Sequence, residues 1–171
     1  MVIEFDRKIK VFEDFIRQYN GLQKSMIEYK WNGQTGDDEW DDENREFRQE
    51  IVERVLAQQI IAPDVLIKDL FEIEAIFSRE AFGAAATLEE LGDLLLNQTG
   101  ARFIADYFIG KGQSFDTENT VIPYGVSIQV LEKIVQDLYG QKQQGATDEN
   151  IEWYIGYFED HIEGRKKRES T

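Results

Sequence analysis

The chain has 171 residues, with 34 Asp and Glu against 19 Lys and Arg, a formal net charge of −15 and no cysteine. That length suits a single domain that buries roughly two thirds of its unfolded surface without covalent staples, and the missing thiols exclude disulfides, thiolate metal sites and thiol catalysis. The averaged negative field opposes phosphate backbones and anionic lipid, so the sequence predicts no direct nucleic-acid or membrane binding and favours cationic partners.

The periodicity is helical from the start. Ile9, Phe12, Ile16, Tyr19 and Met26 recur at three and four, with one break at Gln23, and predict a first helix ending near Lys30. Trp31 to Gly36 reads as a loop, because Asn32, Gly33 and Gly36 tolerate backbone angles that stop helices. A second helix is expected to start near Asp41 or Asp42, where acidic side chains suit the positive end of the helix dipole. Its stripe is Phe47, Ile51, Val55 and Gln58, widened by Val52, Leu56 and Ile60. Pro63 opens a third helix, and Val65, Leu66, Ile67, Leu70, Phe71, Ile73, Ile76 and Phe77 leave it so narrow a polar strip that it is expected to be the most buried.

Thr87 with Glu90 three residues later predicts a capping box opening a short helix to Gln98, closed by Thr99 and Gly100. Arg102 to Ile109 reads as another short helix. Gly110 to Gly125 is the longest non-periodic stretch, read as a functional or mobile loop with room for a short extended pair around Thr120 to Ile122. Ser127 is expected to cap a helix carrying Ile128, Leu131, Val135 and Leu138, and Thr147 one carrying Ile151, Ile155, Phe158 and Ile162. With no repeat and no low-complexity linker, the prediction is an all-α, irregular bundle of six or seven helices in one domain over residues 1–164, followed by a basic, frayed tail at 165–171. The start of the chain has no continuous apolar segment of the signal-peptide kind, and nowhere do about eighteen apolar residues run together. A cytoplasmic location is therefore expected.

Asp37 to Glu46 hold seven carboxylates against one Arg. Side chains that repel one another so strongly contribute little to a core, so this segment reads as a solvated face or as a surface that meets something cationic. Trp31 and Trp40 bracket its loop, and large aromatics beside charge are the composition of an interface hot spot. The candidate binding residues are thus Trp31, Asp37, Asp38, Glu39, Trp40, Asp41, Asp42, Glu43 and Glu46. They predict an acidic protein-binding module of the inhibitor, immunity or anti-defence kind. Its partner would be a basic protein surface, such as that of a nucleic-acid-binding protein or a toxin, met by mimicry of nucleic-acid phosphates or simply by charge.

Conventional catalytic motifs are lacking. His161 is the single histidine and is expected at the surface or boundary near a helix C-terminus. Gly110-Lys111-Gly112-Gln113-Ser114 lacks the spacing of a phosphate loop, and the acidic segment puts Asp42 where an EF-hand needs Gly and Arg48 where it needs Glu. Arg165 to Arg168 form a basic cluster whose simplest role is to complement the end of the last helix.

One helix does carry a resemblance. Glu89-Glu90-Leu91-Gly92-Asp93-Leu94-Leu95-Leu96 resembles the Glu-x-x-Asp helix of the MazG-like all-α nucleoside triphosphate pyrophosphatases, whose carboxylates hold magnesium against substrate phosphates. Glu90 and Asp93 share a face at i, i+3. Where that family carries an upstream Glu-x-x-Glu, this chain has Asp69-x-x-Glu72. The resemblance implies Asp69, Glu72, Glu90 and Asp93 as magnesium ligands, whereas the binding-module reading requires no cofactor and no catalytic residue.

Overall fold

A computed structural model describes residues 2–31, 42–58 and 60–170, with side chains from Lys10 onward. Among the described residues there are seven helices of eight residues or more and one of six: α1 (Val2–Gln18), α2 (Arg45–Leu56), α3 (Asp64–Glu80), α4 (Leu88–Thr99), α5 (Ile104–Lys111), α6 (Phe115–Thr120), α7 (Ile128–Gln143) and α8 (Ile151–Glu169). Short 3-10 turns occupy Lys24–Met26 and Gly100–Phe103. Among the described residues there is no strand, only a single antiparallel bridge between Trp31 and Asp42. The all-α bundle expected from periodicity is therefore the fold.

α3 lies at the centre, against α2, α4, α5 and α6. It buries Leu66, Ile67, Leu70, Phe71, Ile73 and Ala75, as its narrow polar strip predicts. Phe71 stacks on Tyr107 of α5, with ring centres 5.7 Å apart. Two glycines make room for that pair. A Cβ on Gly110 would lie 2.4 Å from the Phe71 ring, and one on Gly92 would crowd Phe71, Tyr107 and Val121 at 3.2 to 3.3 Å. α7 and α8 form an antiparallel pair, recorded in the contacts Lys142–Glu152 at 2.8 Å, Tyr139–Glu159 at 2.9 Å and Lys166–Glu132 at 2.6 Å.

Several boundaries differ from the sequence expectation, each for a local reason. α1 stops at Gln18 instead of reaching Lys30, because Gly21 takes a left-handed φ of 90° and the Asn20 side chain accepts the Leu22 N–H. The break changes the register. Ile27 is fully buried while Met26, on the extrapolated stripe, is exposed. α2 starts at Arg45, since the Asp42 carboxylate accepts the N–H groups of Lys30 and Asn44 and holds a turn before the helix. Gln58 lies beyond the end of α2 at φ 51°, exposed, and is not part of its stripe.

Thr87 precedes α4 without a side-chain cap, and Asn150, not Thr147, precedes α8. Ser127 does cap α7 by accepting the Val130 N–H. Within the stretch expected to be a loop, Ser114 and Thr117 satisfy each other's backbone N–H groups and open α6, a capping box with Thr in place of Glu. No extended pair forms around Thr120 to Ile122. α8 runs on to Glu169, so the basic cluster is helical: Arg165 donates to the Val126 carbonyl, Lys166 meets Glu132 and Lys167 meets Glu163.

Candidate functional site

The residues on either side of positions 32–41 meet at one point. Trp31 and Asp42 are bridged, the Lys30 N–H donates to the Asp42 carboxylate at 3.0 Å, and the Glu43 N–H donates to the Lys30 carbonyl at 2.9 Å. Asn44 adds two bonds from its amide, to the carbonyls of Ser25 and Glu28. Beneath this neck lies Arg48, fully buried. Its guanidinium meets Asp42 at 2.6 Å and Glu74 of α3 at 2.6 Å, donates to the Ile27 carbonyl, and lies over the Phe77 ring. A buried cation with two carboxylates and a carbonyl is costly to break, since any one loss strands the others away from water.

The predicted binding residues thus divide. Asp42 is buried and clamps the neck, so its charge is directed inward to Arg48. Glu43 is exposed but paired with Lys30 at 2.5 Å, Glu46 is exposed on α2, and Trp31 is 54% exposed at the base of the neck. Asp37, Asp38, Glu39, Trp40 and Asp41 lie outside the described residues.

From Glu46 the surface continues into a groove of about 480 Å³ between α1 and α2. Phe12 and Phe47 form its floor, their ring centres 5.4 Å apart. Glu46, Glu50 and Glu53 line its α2 side, three exposed carboxylates at i, i+4 and i+7. Arg54 of α2 touches two of these lining residues, with its guanidinium 5.1 Å from the centre of the Phe12 ring and 3.3 Å from Glu50. The groove was missed in the sequence because Phe12 and Phe47 both read as core positions. The acidic i, i+4, i+7 row opposite Ile51 and Val55 was the available signal.

The four carboxylates of the pyrophosphatase resemblance are placed differently. Asp69 accepts from the Tyr19 hydroxyl at 2.7 Å and meets Lys68 at 2.7 Å and Lys24 at 3.3 Å. Burial pushes its carboxyl upward, yet Lys68, Tyr19 and Lys24 together hold it below the usual value. Glu72 shares Lys24, at 2.8 Å. Glu90 is exposed, and Asp93 accepts the Gly125 N–H at 2.7 Å. Among the described residues no three Asp, Glu or His side chains gather where they could hold a metal ion.

Asp93 belongs instead to a polar cluster between α4, α5 and α8. Burial raises its pKa to about 6, with Glu89 and Glu90 adding to the rise and the Gly125 N–H and Arg165 opposing it. His161 stacks on Tyr157, ring centres 5.5 Å apart, and lies 5.9 Å from the Tyr124 ring. Burial, followed by Arg165, Arg168 and Lys111, lowers its pKa. It is half-buried, within the expectation of a surface or boundary residue, but α8 continues to Glu169, so it does not lie near a helix C-terminus. The Lys111 ammonium turns inward and donates to the carbonyls of Val121, at 2.8 Å, and Glu118. The segment 121–126 is thereby fastened by Asp93, Lys111 and Arg165 from three helices.

Fold and surface together define an all-α scaffold that holds an acidic segment on a clamped neck beside a carboxylate-lined groove. No protein-family model, curated protein or solved structure matches the chain. No helix among the described residues is long and apolar enough to cross a membrane.

Proposed function

We propose that this chain is a protein-binding module that uses its acid-rich segment to occupy a basic functional surface on a partner, in the manner of an inhibitor, immunity or anti-defence protein. The observation that carries this reading is the neck. A buried Arg48–Asp42–Glu74 cluster fixes Asp42, which is bridged to Trp31, so the two residues that flank positions 32–41 are held at one place. Binding residues are commonly carried by loops that a rigid scaffold positions. Trp31, exposed at the base, supplies an aromatic anchor, and the surrounding carboxylates steer encounter with a cationic surface.

The test is capture from the native host's lysate at low salt. Wild type is compared with a variant carrying Asp37→Asn, Asp38→Asn, Glu39→Gln and Asp41→Asn, while Asp42 is kept because it holds the neck. A basic protein retained by wild type and lost by the variant is the expected result. Identical captured sets would overturn the reading.

A further inference from the structure

We infer that the α1/α2 groove is the docking site for a basic amphipathic helix of the partner, its apolar face against Phe12 and Phe47 and its Arg or Lys side chains against Glu46, Glu50 and Glu53. This deepens the proposed function and rests on it. The groove pairs an aromatic floor with a carboxylate row at helical spacing along α2. Aromatic faces attract guanidinium and ammonium groups, and carboxylates fix their direction. Arg54 shows that chemistry within the chain: its guanidinium lies over Phe12 and against Glu50. An incoming helix reads such a surface through residues at i, i+3 or i+4 and i+7, matching the spacing of Glu46, Glu50 and Glu53. The groove also begins at the neck, since Glu46 and Phe47 follow Asp42 by four and five residues, so one partner can meet both.

Arg54 gives the inference a signature that a structural role does not share. It occupies the Phe12 face and part of the Glu50 charge, and its removal should open the site to a cation from outside. The probe is a synthetic amphipathic helix of Leu and Arg, titrated calorimetrically into the full chain at about 0.15 M salt, where exposed long-range charge is largely screened. A peptide of the same composition in scrambled order controls for diffuse attraction.

The amphipathic peptide should bind about tenfold more tightly than the scrambled one. Glu50→Gln with Glu53→Gln should cost about tenfold, and Arg54→Gln should tighten binding, with circular dichroism melts confirming that the variants fold. Equal binding of the two peptides, or no response to any of the groove substitutions, would overturn the inference. If the peptide is lost only from the variant neutralised at Asp37, Asp38, Glu39 and Asp41, the groove assignment fails while the acidic-segment reading stands. If that variant also captures the same lysate proteins as wild type, the binding-module reading fails independently of the peptide result.

Discussion

The guanidinium of Arg48 lies 2.6 Å from the carboxylate of Asp42, and both side chains are completely withdrawn from solvent. These residues are six apart in the sequence, yet together they decide where the acid-rich segment is attached. Removing one member of a buried ion cluster leaves uncompensated charge, which costs about 3 to 5 kcal/mol. Arg48→Met should therefore lower the urea midpoint strongly. The triple variant Arg48→Met, Asp42→Asn, Glu74→Gln should lose less than the single one, because it leaves no bare charge behind. A triple variant less stable than Arg48→Met would show that the cluster contributes through its hydrogen bonds and not by charge balance.

Asp93 makes the opposite prediction. Burial raises its pKa to about 6 from 3.8, so the folded protein holds the proton more tightly than the unfolded chain. The stability linked to that proton is fully present below about pH 4 and is lost as pH rises through about 6. Asp93→Asn keeps an acceptor for the Gly125 N–H without the charge. It should melt higher than wild type at pH 7 to 8, by at most about 3 kcal/mol, with the difference vanishing near pH 4. His161, whose pKa is lowered by burial, opposes this trend on acidification. The comparison is therefore between variant and wild type at each pH, where His161 is common to both.

Gly110→Ala and Gly156→Ala should differ in sign. In an open helical position the change favours folding by about 0.5 to 1 kcal/mol. Gly156, with nothing within 4 Å of its added Cβ, should follow that rule. At Gly110 the Cβ would meet the Phe71 ring at 2.4 Å, and overpacking of this kind costs about 1 to 3 kcal/mol. Thermal melts of the two variants check the prediction directly.

Lys111→Met should leave the carbonyls of Glu118 and Val121 without their buried donor. The expected loss is about 1 to 3 kcal/mol. Hydrogen exchange should rise in residues 115–121 before it rises in α3, since α6 is only six residues long and depends on this tether. Uniform acceleration across the chain would instead make α6 part of the global unfolding unit.

Periodicity exposed the helical class and the buried character of α3, and residue type exposed the Ser127 cap. These are short-range matters: a stripe at three and four, or a hydroxyl beside a helix start, acts within a few residues. α6 was missed because its cap uses Thr117 where Glu or Gln is the stronger signal, and its length is too short for a stripe. From sequence the tail beyond Gly164 reads as frayed, because its cations resemble a solvated end. Contacts with Glu132 and the Val126 carbonyl, more than thirty residues away, keep it helical.

The acidic segment marks the division most clearly. Its charge and its neighbouring tryptophans are legible in the sequence, since like charges repel wherever the backbone runs. Sequence could not separate Asp42 from its six acidic neighbours, because all share the same local chemistry. Only the approach of α2 to α3 places Arg48 between Asp42 and Glu74, in a space where a carboxylate must be paired to be tolerated. The same packing brings Phe12 beside Phe47 and gives the carboxylate row on α2 an aromatic floor. Periodicity assigns each helix a face, but which faces meet depends on how all the helices exclude water together.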